Sequence, residues 1–135
     1  MYMAQSRFGT ARVRYQSIDL SSRIEGASPH ALVAILFDEL LKALDAMASA
    51  ARAKDFSQRG AKQSRALSIL HGLEGSLDYD NGGEIAQSLF SIYAEARRLI
   101  MLAGRDNDAE QALRAREMLH QIASAWESLG QGDIR

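Results

Sequence analysis

The side chains best able to do chemistry in this 135-residue chain are three histidines, His30, His71 and His120; there is no cysteine, so thiolate nucleophiles, thiolate ligands and disulfides are all excluded. Glu117-Met118-Leu119-His120 has the Glu-x-x-His spacing of metal-binding helical bundles. On a helix it sets a carboxylate and an imidazole one turn apart. A dimetal site needs two copies of that motif plus inward glutamates on two further helices. Here His71-Gly72-Leu73-Glu74 runs in the reverse order, so the second copy is missing. Histidines on the surface, with no metal and no cofactor, are the expectation. The serines fall at helix starts and on helix surfaces, without the sharp turn that exposes a nucleophile beside a base. Gly82-Gly83-Glu84 is too short to cradle a phosphate, and its acid would repel one. None of this points to an enzyme.

Composition narrows the remaining classes. Apolar residues make up 47% and charged residues 24%, a balance that supports a buried core in one domain. A net charge of −1 argues against nucleic-acid binding, which needs a cationic surplus. Arg7, Arg12, Arg14 and Arg23 do gather near the N-terminus, against Asp19. That arm is either solvated or a segment that docks on something. No apolar run is long enough for a membrane span, and Met-Tyr-Met-Ala-Gln-Ser-Arg lacks the apolar core of a signal peptide. A cytoplasmic protein is expected.

The elements that position these residues are helical throughout. Ser28 followed by Pro29, the single proline, is a strong helix start. Val33, Leu36, Phe37, Leu40, Leu44, Met47 and Ala51 then recur with helical period to about Arg52. Asp55 or Ser57 caps a second helix with Ala66, Leu70, Leu73 and Leu77 as its stripe, weakened by Gly72 and Gly75. The run from Asp78 to Gly83 is expected to break the chain. A third helix carries Ile85, Leu89, Ile92, Ala96, Leu99 and Ala103 toward the core, with Gly104 as a left-handed cap. Asn107 with Glu110 approximates a capping box for a fourth, which Gly130 and Gly132 end. The expected fold is all-α: an antiparallel up-down four-helix bundle spanning 28–130, with an N-terminal strap or short helix in 1–27 and a tail of 131–135.

Two helices carry a second apolar face. Phe90, Ala94, Arg97 and Met101 form a stripe away from the core line of the third helix, and Leu32, Ile35, Ala43, Ala46 and Ala50 lie beside that of the first. A bundle helix needs only one apolar stripe. Either the core is broad with scattered alanines, or a groove stands open to a guest helix, with small residues for close approach and Phe90 and Met101 for area. Such a trough would also permit weak homodimerisation.

Specific residues carry a family resemblance. Ala27-Ser28-Pro29, Leu32-Val33 and Leu36-Phe37-Asp38, behind Met1-Tyr2 and Tyr15, resemble the opening of the flagellar export chaperone family FliS. Ser76-Leu77-Asp78, Gly82-Gly83-Glu84-Ile85-Ala86, Leu89, Ile92-Tyr93, Arg97-Arg98-Leu99, Asn107-Asp108 and Ala125-Trp126 continue it to about Leu129. Asp38-Glu39 departs from the Asp-Gly of many relatives. The resemblance implies a helical bundle that binds the disordered C-terminal segment of flagellin, blocks its premature polymerisation and presents it to the flagellar type III export gate. By the same resemblance Tyr15 and Ile18 belong to a strap over the guest surface; together with Leu32, Ile35, Phe90, Ala94, Arg97 and Met101, taken from the second apolar face, they are the candidate flagellin-binding residues. Two rivals stand beside it: a helical adaptor for a different secretion client, and a metal-dependent bundle enzyme using Glu117 and His120.

Overall fold

A computed structural model describes residues 24–134. Among them four helices follow one another: α1 (Pro29–Ala53), α2 (Phe56–Gly75), α3 (Tyr79–Asp106) and α4 (Ala109–Ile134). No strand occurs among the described residues. Two- and three-residue links, Lys54–Asp55, Ser76–Asp78 and Asn107–Asp108, reverse the chain each time. Links this short force sequential helices to lie antiparallel. α1 packs on α2 and α4, and α3 packs on α2 and α4, so α1 and α3 are diagonal; the α2–α3 pairing is the thinnest of the four. The fold is the expected antiparallel four-helix bundle. Tyr15 and Ile18 lie outside the described residues.

Local chemistry explains the helix ends. Ser28 Oγ accepts the Ala31 N–H at 3.1 Å, and Pro29 fills the first helical position, where no N–H is needed. Lys54 turns left-handed (φ 59°) to end α1, and Asp55 caps α2 by accepting the Gln58 N–H at 3.1 Å. Asp78 caps α3 through the Asn81 N–H, also at 3.1 Å. Hydrogen bonds from the Asn81 side chain and backbone hold the exposed Asp78 carboxyl below its ordinary pKa.

Several expectations about boundaries need correction. The 78–83 run does interrupt the helix, at Gly83, whose φ of 51° and ψ of −122° favour a residue without Cβ, but one helical turn already begins at Tyr79 and is counted in α3. Gly104 is not a cap. It is buried inside α3, where a Cβ would meet the Gln63 side chain of α2 at 2.2 Å. The left-handed cap falls instead on Asn107 (φ 51°), which also donates Nδ2–H to the Ala51 carbonyl at 3.1 Å. The acid that caps α4 is Asp108, accepting the Glu110 N–H at 2.9 Å, so Asn107 makes no capping box. α4 runs through Gly130 and Gly132 to Ile134.

The core is one cluster. Phe37, Leu40, Leu44 and Met47 from α1, Leu70 and Leu73 from α2, Leu99 and Ile100 from α3 and Leu119 from α4 are its largest fully buried side chains. Each contributes about 1.5–3 kcal/mol by leaving water. Ala43 and Ala50 also prove buried, so part of the small-residue edge of α1 serves the interior, while Ala46 is half-buried. Ile85 departs in the other direction. It keeps helical register with Leu89, Ala96 and Ala103 yet is 72% exposed.

Candidate functional site

The candidate site forms along the thin seam between α2 and α3. On α2, Phe56, Gln63, Leu67 and Glu74 recur at helical spacing and lie along one edge. On α3 the facing positions are Gly104 and Arg97. Gly104 lies against the Gln63 side chain. The Arg97 guanidinium donates to the Glu74 carboxylate. One column further out on α3 stand Phe90, 49% exposed, and Met101, 52% exposed, with Ala94 exposed between them. Phe56 is an exposed aromatic on the α2 edge, and Leu67 packs half-buried against the core. The result is a mixed edge on which Phe56, Phe90 and Met101 are exposed and the Arg97–Glu74 ion pair is partly withdrawn from solvent.

Tyr93 sits behind this ion pair, almost wholly buried. Burial, then the nearby Glu74 carboxylate, push its hydroxyl up to about 12. The phenol is therefore neutral in ordinary conditions and acts as packing.

The structure brings together four of the six described candidates. Phe90, Ala94, Arg97 and Met101 share the α3 edge. Leu32 and Ile35 do not join them; both are half-buried on α1, which is diagonal to α3. Arg97 also differs from expectation, since its charge is directed into the protein, onto Glu74. Phe56, Leu67 and Glu74 were missed as site residues. The exposed Phe56 beside a cap was a visible signal; the role of Glu74 was not, because its partner lies 23 residues away on another helix.

A second groove, of about 530 Å³, runs between α1 and α2. Its floor is Ala43, Ala46 and Ala61, and its walls are Glu39, Lys42, Lys62 and Arg65. Arg65 and Glu39 pair across it at 2.9 Å. Charged side chains line its walls, whereas Phe56, Phe90 and Met101 stand exposed along the α2–α3 edge.

The histidines require one correction. His71 and His120 are exposed, but His30 is half-buried. Its ring stacks on Trp126 with centroids 4.5 Å apart and planes 8° from parallel. Its Nε2 lies 2.8 Å from the Trp126 carbonyl, and the indole Nε1–H donates to the His30 carbonyl at 2.9 Å. A carbonyl only accepts, so Nε2 carries the proton. This clasp joins the start of α1 to α4. Glu117 lies exposed beside Gln121, and no group of three or more metal-ligating side chains converges among the described residues. Nor is any described helix long and apolar enough to cross a membrane.

Comparison with known proteins agrees with this architecture. The family model described as flagellar protein FliS matches residues 11–133. The flagellar secretion chaperone FliS of Salmonella typhimurium is 33% identical over 116 residues, covering 85% of this chain and 86% of that protein. Its namesake in Escherichia coli is 30% identical over 113 residues, 83% of each chain. The flagellar secretion chaperone FliSB of Pseudomonas aeruginosa is 25% identical over 119 residues, 88% of this chain and 94% of that one. A match over nearly the whole bundle, to relatives named as chaperones rather than enzymes, means that this chain belongs to the FliS family of flagellar secretion chaperones.

Proposed function

We propose that this protein is a non-enzymatic cytoplasmic chaperone that binds the disordered C-terminal segment of flagellin, with the α2–α3 edge as a principal contact. The guest gains helix on that edge and covers Phe90, Met101 and Phe56. Its own apolar face is then unavailable for premature polymerisation. The bound complex is presented to the flagellar export gate. The N-terminal arm with Tyr15 and Ile18 is the proposed cover of the binding surface before the guest arrives, and Leu32 and Ile35 serve the same guest further round the bundle.

The observation that carries the reading is the exposure of two large apolar side chains, Phe90 and Met101, on one side of α3 along its seam with α2, where helix packing is thinnest. Scattered single apolar residues on a surface need no explanation, whereas large ones aligned on one side of a helix suit a partner. A thioether and an aromatic ring suit a foreign helix, because methionine adapts its shape at little cost. Ordering a disordered guest costs about 2–5 kcal/mol, which only broad apolar burial offsets.

Titration calorimetry with a peptide spanning the flagellin C-terminal segment tests the proposal. One-to-one binding, a negative heat-capacity change and a gain in helical circular dichroism are expected. Phe90→Asp and Met101→Asp should each weaken binding by about tenfold or more while unfolding transitions stay cooperative. Unchanged affinity in both variants would remove the α2–α3 edge from the binding surface.

A further inference from the structure

We infer that Glu74 is a positioning residue for the guest surface: its ion pair with Arg97 holds the apolar edge of α3 in place against α2, and Arg97 is spent on this internal contact rather than on the guest. The inference rests on the proposed α2–α3 binding edge.

Three observations lead to it. First, α2 and α3 share the thinnest pairing in the bundle, so a single cross-link there carries more of the alignment than elsewhere. The α1–α4 pairing is different. It has two cross-helix ion pairs, Arg52–Glu110 at 2.9 Å and Arg116–Asp45 at 3.1 Å, besides the His30–Trp126 clasp. Second, the Glu74 side chain is only 18% exposed and that of Arg97 36% exposed, so the pair is partly withdrawn from screening by water. Third, Arg97 lies between Phe90 and Met101 on the same side of α3, one turn before Met101 and two turns after Phe90. Whatever fixes Arg97 fixes the spacing of both apolar side chains from α2.

Rigid placement matters here because a binding edge that must first be ordered loses affinity in proportion to the time it spends misplaced. Glu74 thus acts on the guest through Arg97 without touching it. Its neighbour His71, with Nδ1 3.9 Å from the carboxylate, is exposed and does not tie α2 to α3.

The experiment compares the wild-type chain with Glu74→Gln, Arg97→Gln and the charge swap Glu74→Arg with Arg97→Glu. Native-state amide exchange is read without guest, and affinity for the flagellin C-terminal peptide is read separately. Each single variant should raise exchange over 86–101 of α3 by about 3–10-fold, leave α1 unchanged, and weaken the peptide by a similar factor. The swap should return both readouts to within about 2-fold of wild type. Single variants with wild-type exchange would overturn the inference. So would a swap that restores exchange but not binding, because the guest would then be reading the Arg97 charge directly. If the wild-type chain does not bind the peptide, the proposed function fails, yet the exchange comparison still decides whether the pair holds α3.

Discussion

Two halves of this bundle are made from the same helices but finished differently. In one half, formed by 37–51 of α1, 93–104 of α3 and 109–119 of α4, the core-facing side chains are buried. Toward the other end, where α1 and α3 begin and α4 finishes, the described residues cover the apolar pattern only in part. Residues 31–36 of α1 are all half-buried, and Ile85 and Leu129 are 72% and 61% exposed although each keeps the register of its core stripe. The difference teaches that apolar periodicity states which way a side chain points. Only the neighbours decide whether anything meets it there. A chain that carries its apolar stripes past the point where its helices can seal them has surface to spare for something else.

The sharpest way to break the comparison is by stability. Leu44→Ala in the sealed half should lower the unfolding free energy by about 2–5 kcal/mol. Ile85→Ala in the open half should change it by less than ~0.5 kcal/mol, as for a solvated site. Urea denaturation followed by circular dichroism measures both, and equal losses would erase the distinction between the halves.

Alkaline titration should produce the next largest effect. The folded-state pKa of Tyr93 is raised to about 12, above that of an unfolded tyrosine. Its contribution is therefore fully present below the unfolded value near 10 and disappears as the pH climbs toward the folded value, a loss on the order of 2 kcal/mol. Tyr93→Phe should flatten this alkaline fall while leaving neutral stability nearly unchanged. An identical fall in the variant would assign it to other groups.

A smaller effect than these is expected at the end of the open half, in the His30–Trp126 clasp. His30→Ala removes the ring stack and the bond to the Trp126 carbonyl but keeps the bond from the indole to the residue-30 carbonyl. A loss of about 1 kcal/mol should result. The emission of Trp126, the single tryptophan, should shift to the red as the indole gains water. An unshifted spectrum would mean that the histidine ring does not shelter the indole.

Much of this molecule was determined by the sequence alone. Ser28-Pro29, Asp55 and Asp78 mark helix starts by chemistry confined to a single turn, and the apolar period sets the face of each helix. Short links then leave an antiparallel bundle as the natural packing. The Phe90–Met101 row was legible for the same reason, since two stripes on one helix are a property of spacing. What the tertiary structure decided depends on partners distant in sequence. Turn residues predict a break at 78–83, and Gly83 does leave helical geometry, but one helical turn precedes it because Asp78 caps it. Gly104 reads as a cap until α2 places Gln63 against it. His30 reads as a surface residue until Trp126, 96 residues on, stacks over it. Arg97 belongs to a guest surface by spacing and to Glu74 by geometry. Periodicity and capping act over one or two turns, so a single chain displays them. An ion pair, a ring stack or an uncovered core position exists only once two distant helices have been brought to the same place.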